Sequence, residues 1–310
     1  MADQKRRNCA ALQSYFGLID KYPEFRTNQG RIEAFTREFM NRGDAALRTT
    51  TLTIPVVVHV VYRDAAGNIS KEQIDSQIDV LNQDYKAQND DIDQVPPAFT
   101  PFVGNPNIVF ALATEDPDGN GTDGIIRQQT DRVSFGFDDA VKAAATGGSD
   151  PWDTKRYLNF WVCSLTGGLL GYAQFPGGPE ETDGVVITAT GFGKGGTARP
   201  PFDSGRTATH EVGHYLNLSH IWGESRFATC TDSDFVADTP NQYEPNYGAP
   251  NFPSITCNND PNGDMFMNYM DYVDDAAMIM FSRGQVSRMQ ATLETSRNQL
   301  GLHPDGSHMV

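Results

Sequence analysis

Apolar and polar positions divide the chain into stretches of different period. IPVVVHVVY (54–62) is continuously apolar and β-branched, the pattern of a strand buried on both faces. Ile74, Ile78, Leu81 and Tyr85 then recur at helix spacing, and Ser70 with Gln73 predicts a capping box at the start of that helix. Further strands are predicted at 107–114 (NIVFALAT), 157–165 (YLNFWVCSL) and 184–190 (GVVITAT). TGGLLGYAQFPGG (166–178) is glycine-rich with interleaved apolar residues. DSGRTATHEVGHYLNLSH (203–220) predicts a helix with Asp203 or Ser204 as N-cap. A long irregular stretch follows, and a helix in SRGQVSRMQATLETSRNQL closes the pattern.

Residues 1–47 differ from the rest. They are helix-prone and of mixed charge, with basic residues beside Cys9. The expected organisation is an N-terminal segment (1–47), a main unit (48–300) divided near residue 220, and a tail (301–310) whose GSHMV end looks like an expression scar. No internal repeat is visible.

Composition narrows the class. The chain has 310 residues, 38% of them hydrophobic, with 29 Gly and 18 Pro, which suits a loop-rich globular protein. The formal net charge of −16 argues against a nucleic-acid partner, which needs a basic face. It suits solubility, and it also suits calcium sites or cationic substrates. No apolar run reaches the length of a membrane span, so no membrane partner is expected, and a monomer is. The opening MADQKRRNCAALQ lacks an apolar signal core, so the chain reads as cytosolic or as beginning after signal removal.

The cysteines are Cys9, Cys163, Cys230 and Cys257, none in a CxxC pair. Cys230 and Cys257 bracket a polar loop that suits a disulfide in an oxidising compartment. Cys163 reads as a buried thiol. Cys9 is open to several readings, among them a disulfide with Cys163.

The chemistry concentrates in His210-Glu211-Val212-Gly213-His214 and His220. Positions i and i+4 share a helix face, so His210 and His214 present two imidazoles to one metal. If the helix ends at Asn217, the chain turns back and brings in His220. Three ligands leave a fourth position open, the catalytic arrangement for zinc, and Glu211 is placed to act as general base. His59, alone in an apolar strand, reads as a packed core residue. Asp232, Asp234, Asp238 and Thr239 offer hard oxygen ligands within eight residues, as a calcium site or a solvated acidic loop would. DPDGNGTDG (116–124) lacks the closing glutamate of an EF-hand and reads as a turn.

HEVGHYLNLSHIWG, GGLLGYAQFPGG, DFVADTPNQ and NYMDYVDD together resemble the pappalysin family of metzincin metalloproteases over roughly residues 50–295. One departure is Asn217, where the metzincin pattern has glycine; Asn is the next most tolerant residue for left-handed geometry. The resemblance implies an α/β metzincin-type zincin, with a twisted mixed sheet, backing and active-site helices and an irregular C-terminal subdomain. It implies a secreted endopeptidase acting on proteins or peptides, with catalytic zinc and structural calcium. Met270 would floor the zinc site, and Tyr272 would stand near the metal as an oxyanion donor. Leu170, Gly171 and Ala173 would form an edge strand that binds substrate backbone. Residues 1–47 would be a prosegment whose Cys9 blocks the zinc. Asp274 and Asp275 lie near the family's primed-side pocket, where a carboxylate favours Arg or Lys after the cut. Cleavage between Leu47 and Arg48 would then activate the enzyme. The rival expectation is a secreted binding module that keeps zinc without catalysis, against which Glu211 argues.

Overall fold

The computed structural model describes residues 6–43, 48–225, 227–303 and 305–309. Its centre is a six-stranded twisted mixed sheet. The long strand β1 (Leu52–Tyr62) pairs in parallel with β2 (Ile108–Leu112) along its first half and β3 (Ile125–Gln129) along its second. On its other side β1 pairs in parallel with β4 (Leu158–Cys163), and β4 with β6 (Val185–Thr188). β5 (Gly171–Ala173) runs antiparallel to β6 and forms the edge.

The apolar run of β1 is continuous because both its faces are covered. Leu52, Ile54, Val56, Val58 and Val60 face the main core, where α3 (Lys71–Asp84) contributes Ile74 and Leu81 and α4 (Arg206–Tyr215) contributes Ala208 and Val212. Val57 and Val61 join smaller clusters on the opposite side. β3 was not foreseen. It carries Arg127, Gln128 and Gln129, exposed on an outer strand where no apolar alternation is required.

Two predicted caps differ in detail. Ser70 accepts from the Gln73 backbone, but the Gln73 amide does not reach back to complete a box. It donates instead to the carbonyls of Ala189 and Phe192, tying α3 to the loop after β6. At α4 the N-cap is Gly205 (φ 81°), not Asp203 or Ser204, and it makes no side-chain cap. The backbone N–H groups of Ser204 and Arg206 are met by the remote carboxylate of Asp275, at 2.8 and 3.3 Å.

His59 is a core residue. Its ring stacks on Trp161 at 5.1 Å, and its nitrogens lie against Ser149 Oγ and Asn159 Oδ1. Burial pushes this imidazole down to about 4. An unfolded His titrates near 6.5, so below that pH the unfolded chain takes the extra proton. The contribution of neutral His59 is therefore complete above pH 6.5 and is lost as pH falls toward 4, amounting to about 2 kcal/mol at pH 5. Denaturant unfolding at pH 7 and pH 5 is expected to show a larger loss for the native chain than for His59→Gln; equal losses contradict this.

After His220 the chain is mostly irregular, with the short parallel pair β7 (Tyr247–Gly248) and β8 (Tyr272–Val273) and the terminal helix α5 (Arg283–Glu294). Cys230 and Cys257 are joined by a disulfide, while Cys9 and Cys163 are free buried thiols 154 positions apart in sequence and unpaired with each other. Ser282 and Gln285 cap α5 with a complete box. The N-terminal segment contributes α1 (Ala11–Lys21) and α2 (Pro23–Asn41). α1 packs by β5 and α2 against α5.

Candidate active site

Every residue of α4 is buried, and its ligand face meets the chain that turns back after it. The turn is made by Asn217 at φ 71°, the left-handed geometry that a glycine or asparagine tolerates. Leu218 N–H then bonds Gly213 O at 2.9 Å, and His220 arrives beside the helix. His214 Nε2 lies 3.2 Å from His210 Nε2 and 3.1 Å from His220 Nε2.

The opposite nitrogens explain this convergence. His210 Nδ1 is 2.7 Å from Tyr269 O, His214 Nδ1 is 2.7 Å from Leu218 O, and His220 Nδ1 is 3.2 Å from Glu224 Oε2. Those acceptors hold the proton on Nδ1 and leave three Nε2 lone pairs facing one point, which is the usual outer-shell arrangement of metal-bound histidines. Burial, followed by the neighbouring imidazoles, lowers His210 and His214 well below the ordinary histidine range, so both are neutral as ligation requires. Tetrahedral zinc with bonds of about 2.0–2.1 Å separates its nitrogens by about 3.3 Å, close to the observed spacing. Cys9 Sγ completes the set: the four donor atoms all lie within 4.8 Å of one another. This is a zinc site with a thiol in its fourth position.

Glu211 is fully buried beside it. Cys9 Sγ lies 3.4 Å from Glu211 Oε2, and burial pushes the carboxyl up to about 8. A divalent cation acts in the opposite direction. Burial likewise raises the Cys9 thiol, with Glu211 adding to the rise. Gly171 is what admits Glu211 so close to β5, since a Cβ there would stand 2.9 Å from Glu211 Cγ. Met270 lies beneath α4, fully buried, and a Cβ at Gly213 would collide with its sulfur. The Tyr272 ring stands 5.7 Å from His210 and 5.0 Å from His220, with its hydroxyl 3.4 Å from Cys9 O. Burial holds that phenol well above its usual range, so it remains a proton donor.

Residues 8–10 lie along β5 as an added parallel strand. Leu170 N–H donates to Asn8 O at 2.9 Å, and Ala10 N–H to Gly171 O at 3.1 Å. Ala173 lies further along the same strand and, like Gly171, pairs with β6 on its other side, at Val185. Two residues before the thiol, Arg7 enters a pocket floored by Asp275, with Nη2 2.6 Å from Oδ1. Nη1 donates to Thr207 Oγ1, Nε donates to Val273 O, and the guanidinium covers the Phe202 ring. Asp274 makes no hydrogen bond to Arg7; its backbone N–H donates to Gly248 O.

The four presumed calcium ligands do not converge. Asp234 and Thr239 meet, with Thr239 Oγ1 2.9 Å from both Asp234 carboxylate oxygens and from Val236 O. Asp232 turns to the backbone of Ser225 and Ser233, and Asp238 to Ser282 and Gly284. Arg7, Thr207, Trp222 and Glu224 were missed from the sequence. Glu224 had a signal, a carboxylate four residues after the third histidine; Trp222, stacked 4.4 Å from His220, had none.

A helix-borne histidine pair, a third histidine beyond a left-handed turn and an edge strand above the metal define a metzincin-type zinc peptidase. Residues 144–294 match the M43 peptidase family described as Pregnancy-associated plasma protein-A. An extracellular metalloprotease of Arthroderma otae is 31% identical over 87% of this chain and 88% of its own length. Mature mirolysin of Tannerella forsythia, solved with a cleaved peptide, is 50% identical with a TM-score of 0.79, covering 81% of this chain and 96% of that one. A promirolysin mutant from the same organism is 45% identical with a TM-score of 0.84, covering 94% of this chain and 96% of that one. The chain belongs to the M43, or pappalysin, family of metzincin metalloproteases. It is a zinc-dependent peptidase, latent because a cysteine closes its metal site.

Proposed function

We propose that the chain is the zymogen of a secreted endopeptidase that cuts before Arg, and less well before Lys. The observation that carries this reading is Arg7 on Asp275, two residues from the thiol at the zinc site. A buried carboxylate with a bidentate-capable cation in place is a recognition pocket for guanidinium, and Lys offers only a point charge there. From Arg7 to Cys9 the chain runs from pocket to metal. A substrate whose Arg follows the cut runs from metal to pocket, so the segment lies reversed and presents no bond for hydrolysis.

His210, His214 and His220 would hold zinc, which would supply a water with a pKa lowered to about 7 and a Lewis acid for the carbonyl. Glu211 takes the proton of the attacking water and delivers it to the leaving amine. The Tyr272 hydroxyl donates to the carbonyl oxygen as charge develops there. Leu170 and Gly171 hold the substrate backbone in the place that residues 8–10 now occupy.

Residues 1–47 act as the prosegment, and 48–300 as the catalytic domain, divided near 220. The relative named as mature covers 81% of this chain and the pro-form 94%, a difference of 13%, or roughly 40 of 310 residues, which supports that boundary. The extracellular relatives and the Cys230–Cys257 disulfide support secretion. The activation bond joins Leu47, which lies outside the described residues, to Arg48, whose guanidinium pairs with Glu294 at 2.6 Å. Because Arg7 fills the pocket and Cys9 the metal site of every intact copy, the cut is made by copies whose segment has lifted away or has already been removed. N-terminal sequencing is expected to find Arg48 first, at a rate that rises with protein concentration. Processing of purified Glu211→Ala by itself would sink this.

Calcium is proposed at Asp234, the Val236 carbonyl and Thr239. One hydroxyl proton cannot serve three acceptors at 2.9 Å, so the crowded oxygens suit a hard cation. A calcium-selective chelator is expected to lower the melting temperature by roughly 5–10 °C, with zinc retained. An unchanged melting temperature, or the same response in Asp234→Asn, counts against the site.

A further inference from the structure

The N-terminal segment is fastened to the rest of the chain by a second ion pair, in which the arginine is buried and the glutamate partly exposed. Glu33, on α2, sits on the Arg288 guanidinium with Oε1 2.6 Å from Nη2 and Oε2 3.2 Å from Nη1. Asn217 Nδ2 donates to the same Oε1 at 2.8 Å. Three donors therefore converge on one carboxylate, and the Arg288 side chain is only 1% exposed.

The donors are positioned by residues beyond the segment. Arg288 Nε and Nη2 donate to Asn217 O at 3.3 and 3.2 Å, and the guanidinium carbon stands 5.8 Å from the Phe235 ring centroid. Asn217 is fixed by the turn that closes α4. Glycine at 217 would make that turn equally well but would carry no amide. When the segment leaves, the guanidinium and the amide stay in place. The carboxylate that Arg288 hydrogen-bonds among the described residues goes with the segment. Asp234, which also feels the Arg288 charge, is hydrogen-bonded to Thr239 and Val236.

Glu33 and Asn217 also line a cavity that reaches the metal-binding histidines. It measures about 340 Å³ and runs between Tyr15 and Glu33 on the segment and Phe175, Asn217 and Glu224 on the other wall. The Phe175 ring lies 5.2 Å from His214, and Glu224 holds His220. The segment thus sets a cation, Arg7, against Asp275 and an anion, Glu33, in a cavity next to the metal-binding histidines.

We propose that, in the processed protein, Asn217 and Arg288 form a subsite for an acidic side chain of the substrate, on the N-terminal side of the cut. The proposal rests on the peptidase reading above and adds to it a charge pattern: acidic residue, scissile bond, arginine. A carboxylate that meets an oriented, buried guanidinium and an amide donor is recognised far better than its neutral isostere, because the neutral group leaves the cation unpaired.

The test uses peptides with Arg after the cut and either Glu or Gln at each of the second to fifth residues before it. With the protein processed from the full chain, the Glu peptide is expected to have about tenfold higher kcat/KM at one of these positions, expressed in KM. In Arg288→Gln the Glu-to-Gln ratio falls to about one. Asn217→Gly, which keeps the turn and removes the amide, lowers the ratio in part and serves where Arg288→Gln does not fold. Fluorescein-labelled versions of the same peptides, bound to processed Glu211→Ala and read by anisotropy, separate binding from turnover. Tighter binding of Glu than Gln without any cleavage by the native protein supports the subsite and overturns the peptidase reading. Equal kcat/KM and equal binding at all four positions, or a preference that survives Arg288→Gln, overturns the subsite.

Discussion

Glu211→Ala is expected to bind zinc as the native chain does and to lose turnover by about 10²–10⁴-fold. The metal ligands are the three histidine Nε2 atoms, each oriented by its own acceptor at Nδ1, and none of these acceptors is Glu211. Removing the carboxylate therefore leaves the metal site intact and deletes the group that moves the proton. The measurement is zinc content by elemental analysis beside peptide hydrolysis, with the N-terminal segment removed from both proteins by an added protease. Near-native turnover would refute Glu211 as base. Zinc loss in parallel with activity would show that the side chain holds the site together rather than serving the chemistry.

Asp275→Asn is expected to reduce cleavage before Arg by about 10²–10³-fold while cleavage before an uncharged residue of similar length changes little. A guanidinium buried without its carboxylate costs about 3–5 kcal/mol, which converts to that range or above. Asn retains an oxygen for the Ser204 and Arg206 N–H groups, so the start of α4 keeps its cap. Paired peptides carrying Arg or citrulline after the cut give the ratio directly. An unchanged ratio would remove Asp275 from the pocket. The same variant should weaken the hold on Arg7, so its full chain is expected to be processed sooner when native enzyme is supplied.

The two substitutions also mark what was legible in the sequence. Glu211 and the histidines fall within eleven residues, and the turn residue that sets their geometry lies among them. Helix period and one positive-φ position suffice to assemble such a site. The fold was legible for the same reason: β1, β4 and β6 are buried on both faces and carry continuous apolar runs, whereas exposed β3 carries none and went unseen. Contacts between distant residues left weaker traces. Arg7 and Asp275 are 268 positions apart, and Glu33 and Arg288 are 255 apart. No local period encodes such pairs. The sequence offered Asp274 and Asp275 as equivalent, and only the packing of β8 and Ser204 separates them. Asn217 read as a tolerated stand-in for glycine because its amide partner lies on another helix.

The short strand β5 has a further consequence for how the protein must be made. Its outer edge is covered by the protein's own residues 8–10, and removal of that segment would uncover it. An uncovered strand edge pairs with any extended chain, including unfolded copies of the same protein during synthesis. A segment that covers this edge would shield it during folding, in addition to closing the metal site. A gene truncated to begin at Arg48 would produce a chain that meets its own nascent neighbours with that edge open, and its yield of folded enzyme would depend on dilution.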